Sequence, residues 1–202
     1  MGTAEHIIWH YKVMMILAGL APEVTAKDFE EALPTVEEMI IWVNGGFSTS
    51  FFHSMCSGFN LFTHTAEACE QLGMYDQALM FAEQAATNGD ITKGGSFVPS
   101  HLSDGFQVKG RCLASMGKAQ AAEEAFESAL ANLSGFGLHL LEVLVLRDLK
   151  VYILDRDGRS DEGSNRLKAS IHQLLGTSPA AEQLAELQVA LGPDVDIPSV
   201  LA

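Results

Sequence analysis

Residues 113–131 read LASMGKAQAAEEAFESALA. The composition is helical, yet Gly117 divides the run, and small residues then recur at helical spacing. A glycine inside a helix costs about 1 kcal/mol relative to alanine. Two helix-forming runs on either side of one glycine therefore read as two helices joined by a short turn. Such a turn needs a residue that tolerates positive φ, and glycine does so without a steric penalty. The alanines beyond it let the second helix lie close against the first.

The same design recurs along the chain. QLGMYDQALMFAEQAA (71–86) aligns with SMGKAQAAEEAFESAL (115–130), placing Gly73 on Gly117, Tyr75 on Ala119, Ala78 on Ala122 and Ala85 on Ala129. Upstream, Phe62, Ala66 and Cys69 fall on Phe106, Gly110 and Leu113. A weaker third copy is LRDLKVYILDRDGRSDEGSNRLKAS (146–170), with Gly158 in the turn place and Gly163 where the others carry alanine. Phe62, Phe106 and Phe126 supply volume between successive hairpins. One hairpin cannot bury both of its faces, so the copies are expected to stack.

These stretches resemble the tetratricopeptide repeat family over residues 59–175. The turn glycines are 44 and 41 residues apart, against about 34 in that family. The extra length falls in 88–100 and 131–137. Phenylalanine replaces the family's tryptophan in two copies and Arg147 replaces it in the third. The resemblance implies an all-α, right-handed array of antiparallel helix pairs forming one domain over 1–202. Residues 1–58 would be N-terminal capping helices, 59–175 about three irregular repeats, and 176–202 a C-terminal lid helix and tail.

Local signals outside the repeats agree with an all-helical chain. Sustained two-residue alternation is absent. Thr25 with Asp28 is close to a capping box. Pro34 and the acidic residues after it open a helix that Asn44-Gly45-Gly46 should stop. Ser178, Pro179 and Gly192-Pro193 bracket another, whose Leu184, Leu187 and Leu191 share one stripe for packing on the last repeat. The apolar stretch 7–21 is shorter than the roughly 20 residues needed to span a bilayer, and His10 and Lys12 interrupt it. It lacks a basic leader, and His6 stands where a myristoylation signal needs Ser or Thr. It reads as a buried first helix.

The chain carries 12 basic and 26 acidic residues, a net charge of −14. That field repels polyanions, so neither nucleic acid nor an anionic membrane is an expected partner. Cys56, Cys69 and Cys112 form no CxxC pair and lie in apolar-periodic stretches. They read as buried free thiols of a reducing compartment, hence a cytoplasmic protein.

Members of the repeat family typically bind an extended peptide or a helix along the groove lined by their first helices. By register, the groove-facing residues here would be Asn60, Thr63, His64, Glu67 and Gln71, then Gln107, Arg111 and Ser115, then Asp148 and Tyr152. The expected function is a non-catalytic protein-interaction module or scaffold. The family's clamp for a terminal carboxylate needs Lys near Thr63 and Asn near Glu67, and this chain has neither. Glu67, Glu70 and Asp148 favour a partner with a basic segment, held in a salt-sensitive way. A different class of function is a ligand-sensing or enzymatic helical domain with an apolar pocket near Trp9, Trp42 and Phe51. The apolar N-terminal region also raises the expectation of self-association, as in a domain cut from a longer repeat protein. The long connection at 88–100, with Phe97 amid glycines, reads equally as a lid over the groove or as a disordered insertion.

Other chemistry finds little support. His6 and His10 share a helix face but lack a convincing third metal ligand, and His53 and His64 are too far apart along one helix to meet. LDRDGRSDEG has its glycine misplaced for a calcium loop. The glycine pairs at 45–46 and 94–95 do not lead into a phosphate loop, and no nucleophile elbow is present. No cofactor or metal is expected.

Overall fold

The computed structural model describes residues 2–44, 58–88, 99–176 and 180–201. Expectations that fall on Gly45-Gly46, Phe51, His53, Cys56, the 89–98 stretch, Ser178 and Pro179 lie outside them. Among the described residues every regular element is helical. Helices α1 (Gly2–Leu17), α2 (Ala26–Ala32) and α3 (Val36–Asn44) precede three hairpins. The first hairpin is α4 (Gly58–Gln71) with α5 (Tyr75–Asn88), and the second is α6 (Pro99–Ser115) with α7 (Ala119–Leu133). The third pairs α8 (His139–Leu149), continued by a wider π turn over Lys150–Leu154, with α9 (Ser160–Leu175). Helices α10 (Ala181–Leu191) and α11 (Ile197–Leu201) complete the chain.

The three hairpin turns are built alike. Gly73, Gly117 and Gly158 sit at φ 75°, 75° and 74°. In each, the residue after the glycine donates its N–H back across the turn: Met74 to Cys69 (2.8 Å), Lys118 to Leu113 (2.9 Å) and Arg159 to Leu154 (2.7 Å). These bonds satisfy carbonyls that the end of a helix leaves open. Some helix starts are capped by side chains instead. Thr25 and Asp28 form the full reciprocal box. Thr35 and Glu38 form a second at the start of α3, directly after Pro34.

Each hairpin packs on the next, α5 against α6 and α7 against α8. The first helices α4, α6 and α8 also touch in succession, so they lie side by side. Small residues make the close approaches. Ala66, Ala78 and Ala122 have no exposed surface. A Cβ added at Gly110 would stand 2.7 Å from the Phe126 ring, and one at Gly105 would stand 2.9 Å from the backbone nitrogen of Ala86. Gly163 meets the Lys150 side-chain stem and Leu154 in the same way.

Two apolar cores result. One joins Trp9, Val13 and Ile16 of α1, Phe29 and Met39 to Phe62, Phe81 and Cys112 of α4–α6. The other joins Phe126 and Leu133 of α7 to Leu149, Leu167, Ile171 and the stripe Leu187 and Leu191 of α10. Leu79 packs against both. Burial pushes the Cys69 and Cys112 thiols up to about 12, so both are protonated and inert.

One expectation is corrected here. The first helix is buried on one side only, because Ile7, Ile8, Tyr11 and Met14 are exposed. The apolar run is therefore too apolar for the single face it buries. Among the described residues no helix is long and apolar enough to cross a membrane.

Candidate functional site

Counted back from each turn glycine, positions −10, −6 and −2 lie four residues apart on one stripe of each first helix. They are Thr63, Glu67 and Gln71 on α4, Gln107, Arg111 and Ser115 on α6, and Asp148, Tyr152 and Arg156 on the third. Because α4, α6 and α8 lie side by side, these stripes meet. At their centre is Arg111, whose side chain is only 15% exposed. Its Nε and Nη2 donate to the two oxygens of Glu70 at 2.9 and 2.8 Å, a fork that matches the carboxylate. Its Nη1 donates to Asp148 Oδ2 at 3.2 Å, and Glu67 stands 3.8 Å from Nη2. One guanidinium thus ties α4, α6 and α8 together.

Asp148 is buried and receives more than Arg111. Gln107 donates to it at 2.7 Å and also reaches the Leu144 carbonyl at 3.4 Å. Arg147 Nε donates to its other oxygen at 2.7 Å, while Arg147 Nη1 reaches the Leu191 carbonyl at the end of α10 (3.3 Å). This is the role found for Arg147, which stands in the register of Phe62 and Phe106.

The charges are unevenly matched. Burial lowers the proton affinity of Arg111, but the hydrogen bond to Glu70 and the charges of Glu70, Asp148 and Glu67 outweigh it, so its proton is held more firmly than usual. Burial raises the Glu67 carboxyl, with Arg111 opposing and Glu70 adding to the rise. Asp104, seven residues before Arg111 on the same face of α6, is pushed up to about 7 by burial and by Glu67, against Arg111. Burial and the charges of Asp148 and Glu70 also raise Tyr152.

Above Arg111 opens a depression of about 500 Å³. Glu67, Gln71, Arg111, Ser115 and Tyr152 line it, together with Glu70, Tyr75 and Leu17 at the end of α1. Half of the candidate groove residues therefore converge. The guanidinium of Arg156 covers the Tyr152 ring at 5.4 Å. The remaining candidates are elsewhere. Gln107 and Asp148 are bonded to each other beneath the depression, and Thr63 is buried. His64 faces α1, with its Nδ1 3.3 Å from His10 Nε2. Burial and the His64 charge lower the affinity of His10 for a proton. Beside this pair, the Trp9 indole donates to Thr65 Oγ1 at 3.1 Å. Asn60 is on α4, but its side chain lies outside those described.

Among the described residues no three His, Cys, Asp or Glu side chains group to hold a metal ion. A second hollow, of about 330 Å³, lies between α1 and α2, lined by Trp9, Met15, Ile16, Leu20, Phe29 and Ala32 among others. The Trp9 and Phe29 rings are 5.0 Å apart in its wall. Trp42 packs against the N-terminal core without lining this hollow. In comparisons with known proteins, no family model matches the chain, and neither a curated protein nor a solved structure resembles it significantly.

Proposed function

We propose that the chain is a non-catalytic protein-interaction module, a tetratricopeptide-like right-handed array that takes an extended basic segment of a partner across α4, α6 and α8. The observation that carries this reading is the open depression above Arg111. Its lining is polar, and within that lining two carboxylates, Glu67 and Glu70, stand against one cation, Arg111. Gln71, Ser115 and Tyr152 offer hydrogen-bonding groups along it. The buried thiols fit a reducing compartment such as the cytoplasm.

The test is fluorescence anisotropy with a panel of labelled lysine- and arginine-rich peptides. Binders should weaken as salt rises from about 50 to about 300 mM, because exposed charges are then screened. A Glu67→Lys, Ser115→Arg variant should bind them about tenfold more weakly, ~1.4 kcal/mol. Equal binding by the wild type and this variant would remove the groove from consideration. Arg111 is unsuited to this purpose, because its loss would leave several carboxylates uncompensated.

The hollow beside Trp9 supports a second reading, a domain that senses a small apolar ligand. Ala32→Phe would fill it. An apolar fluorescent dye that binds the wild type and this variant alike would count against that reading.

A further inference from the structure

The two acids in the wall of the depression above Arg111 are not equally free. Glu70 receives the Arg111 fork on both oxygens, at 2.9 and 2.8 Å, and its side chain is 16% exposed. Glu67, at 33%, is the more open of the two. Among the described residues it accepts no hydrogen bond, and its Oε1 stands 3.8 Å from Arg111 Nη2. The Tyr152 ring is engaged as well, because the Arg156 guanidinium covers it at 5.4 Å. A guanidinium is recognised best by a carboxylate with both oxygens open and by an aromatic face. The chain's own arginines already occupy one of each. Tyr75 keeps a ring in the wall, which serves an ammonium and a guanidinium alike. What is left is Glu67 and a set of neutral acceptors. These are the Gln71 amide, one turn beyond Glu67 on α4, the Ser115 hydroxyl, one turn beyond Arg111 on α6, and the Tyr152 hydroxyl.

We propose that Glu67 determines the specificity of the depression and selects a lysine ammonium over an arginine guanidinium. The inference rests on the groove reading given above, which asks only for a basic segment, and narrows it to one kind of basic side chain. An ammonium is a compact charge whose three donors can turn toward separate acceptors. One goes to Glu67, and Gln71, Ser115 and Tyr152 line the same depression to receive the others. A guanidinium carries five donors in a fixed plane and gains most from a matching pair of carboxylate oxygens. That pair belongs to Glu70, and Arg111 holds it. Burial raises the Glu67 carboxyl, and Glu70 adds to the rise against Arg111. A cation arriving at Glu67 therefore relieves a carboxylate that Arg111 compensates only in part.

The experiment is fluorescence anisotropy of the full chain and its Glu67→Gln variant with matched labelled peptides. These are glycine–serine chains of one length that carry lysine, arginine or Nε-acetyl-lysine at the same positions. The wild type should bind the lysine peptide about fivefold more tightly than the arginine peptide, and about tenfold more tightly than the acetylated one. Glu67→Gln keeps the size of the side chain and removes its charge, and should bring the lysine and arginine peptides to within about twofold of each other. Equal binding of the two charged peptides by the wild type, or a preference for arginine, overturns the selection while leaving a groove for basic segments in place. A lysine preference that survives in Glu67→Gln overturns it too. Should that variant fail to fold, the acetylated peptide decides: binding it as tightly as the lysine peptide refutes recognition of an ammonium, and its loss supports it. Binding of neither charged peptide ends the groove reading itself, and this inference with it.

Discussion

The second and third hairpins share a turn and differ in how their helices fit. In the second, Gly110 on the first helix gives way to the Phe126 ring of the other. The first hairpin has alanine at both equivalent places, Ala66 and Ala82, each fully buried. In the third, Val151 occupies the place of Gly110, and Gly163 stands where the other copies have Ala78 and Ala122. Bulk gained on one helix is given up by its partner. The glycine turn sets where the chain reverses, and an exchange of volume across the pair sets how near the helices come. The third pair also differs in its π turn, where Asp155 donates back to the Lys150 carbonyl at 2.9 Å. That turn accommodates one more residue than a regular helix and places the Lys150 stem against Gly163.

The comparison can be broken most forcefully at Gly110. Gly110→Val should destabilise by about 3 kcal/mol, because the ring it meets is buried and cannot swing away. Urea unfolding would measure the loss, and Phe126→Leu added to it should recover part. Simple additivity of the two changes would show that they are not one fit. The turns come next. Gly117→Ala and Gly158→Ala should each cost about 1–2 kcal/mol from left-handed strain, and the two should agree within about 0.5 kcal/mol. A clear inequality would mean that the turns are alike in shape only. Gly163→Ala should have the smallest effect, within about 1 kcal/mol of zero. Its new methyl meets the Cγ and Cβ of the ion-paired Lys150 stem rather than a ring, and alanine's helix propensity offsets much of that cost. A loss as large as that of Gly110→Val would erase the distinction between the hairpins.

Most of the helical layout was legible because its signals are local. The turn glycines, the Thr25–Asp28 box, the Gly192 stop and the Leu187–Leu191 stripe each depend on residues within a few positions of one another. The stripe holding Glu67, Arg111 and Tyr152 was legible too, from the repeat register. What these side chains do was not. Register places residues on a face without saying how near the next helix comes, so Arg111 read as a free groove residue and is in fact bonded to Glu70 and Asp148 across two helix contacts. His64 is turned toward His10, a partner 54 residues away that no periodicity links to it. The π turn was also hidden, since an extra residue within a helix leaves the apolar spacing nearly unchanged.

Arg147 links two parts of the molecule that the repeat pattern treats separately. One arm steadies Asp148 beneath the depression, and another holds the last carbonyl of α10. The groove and the C-terminal helix therefore draw on the same side chain, which makes their free energies mutually dependent. Any event that alters the charge on Asp148 or its neighbours changes the hold on α10, and fraying of α10 changes the electrostatic balance of the groove by an equal coupling. Hydrogen exchange at the end of α10 would report on what happens at Arg111, two helices away.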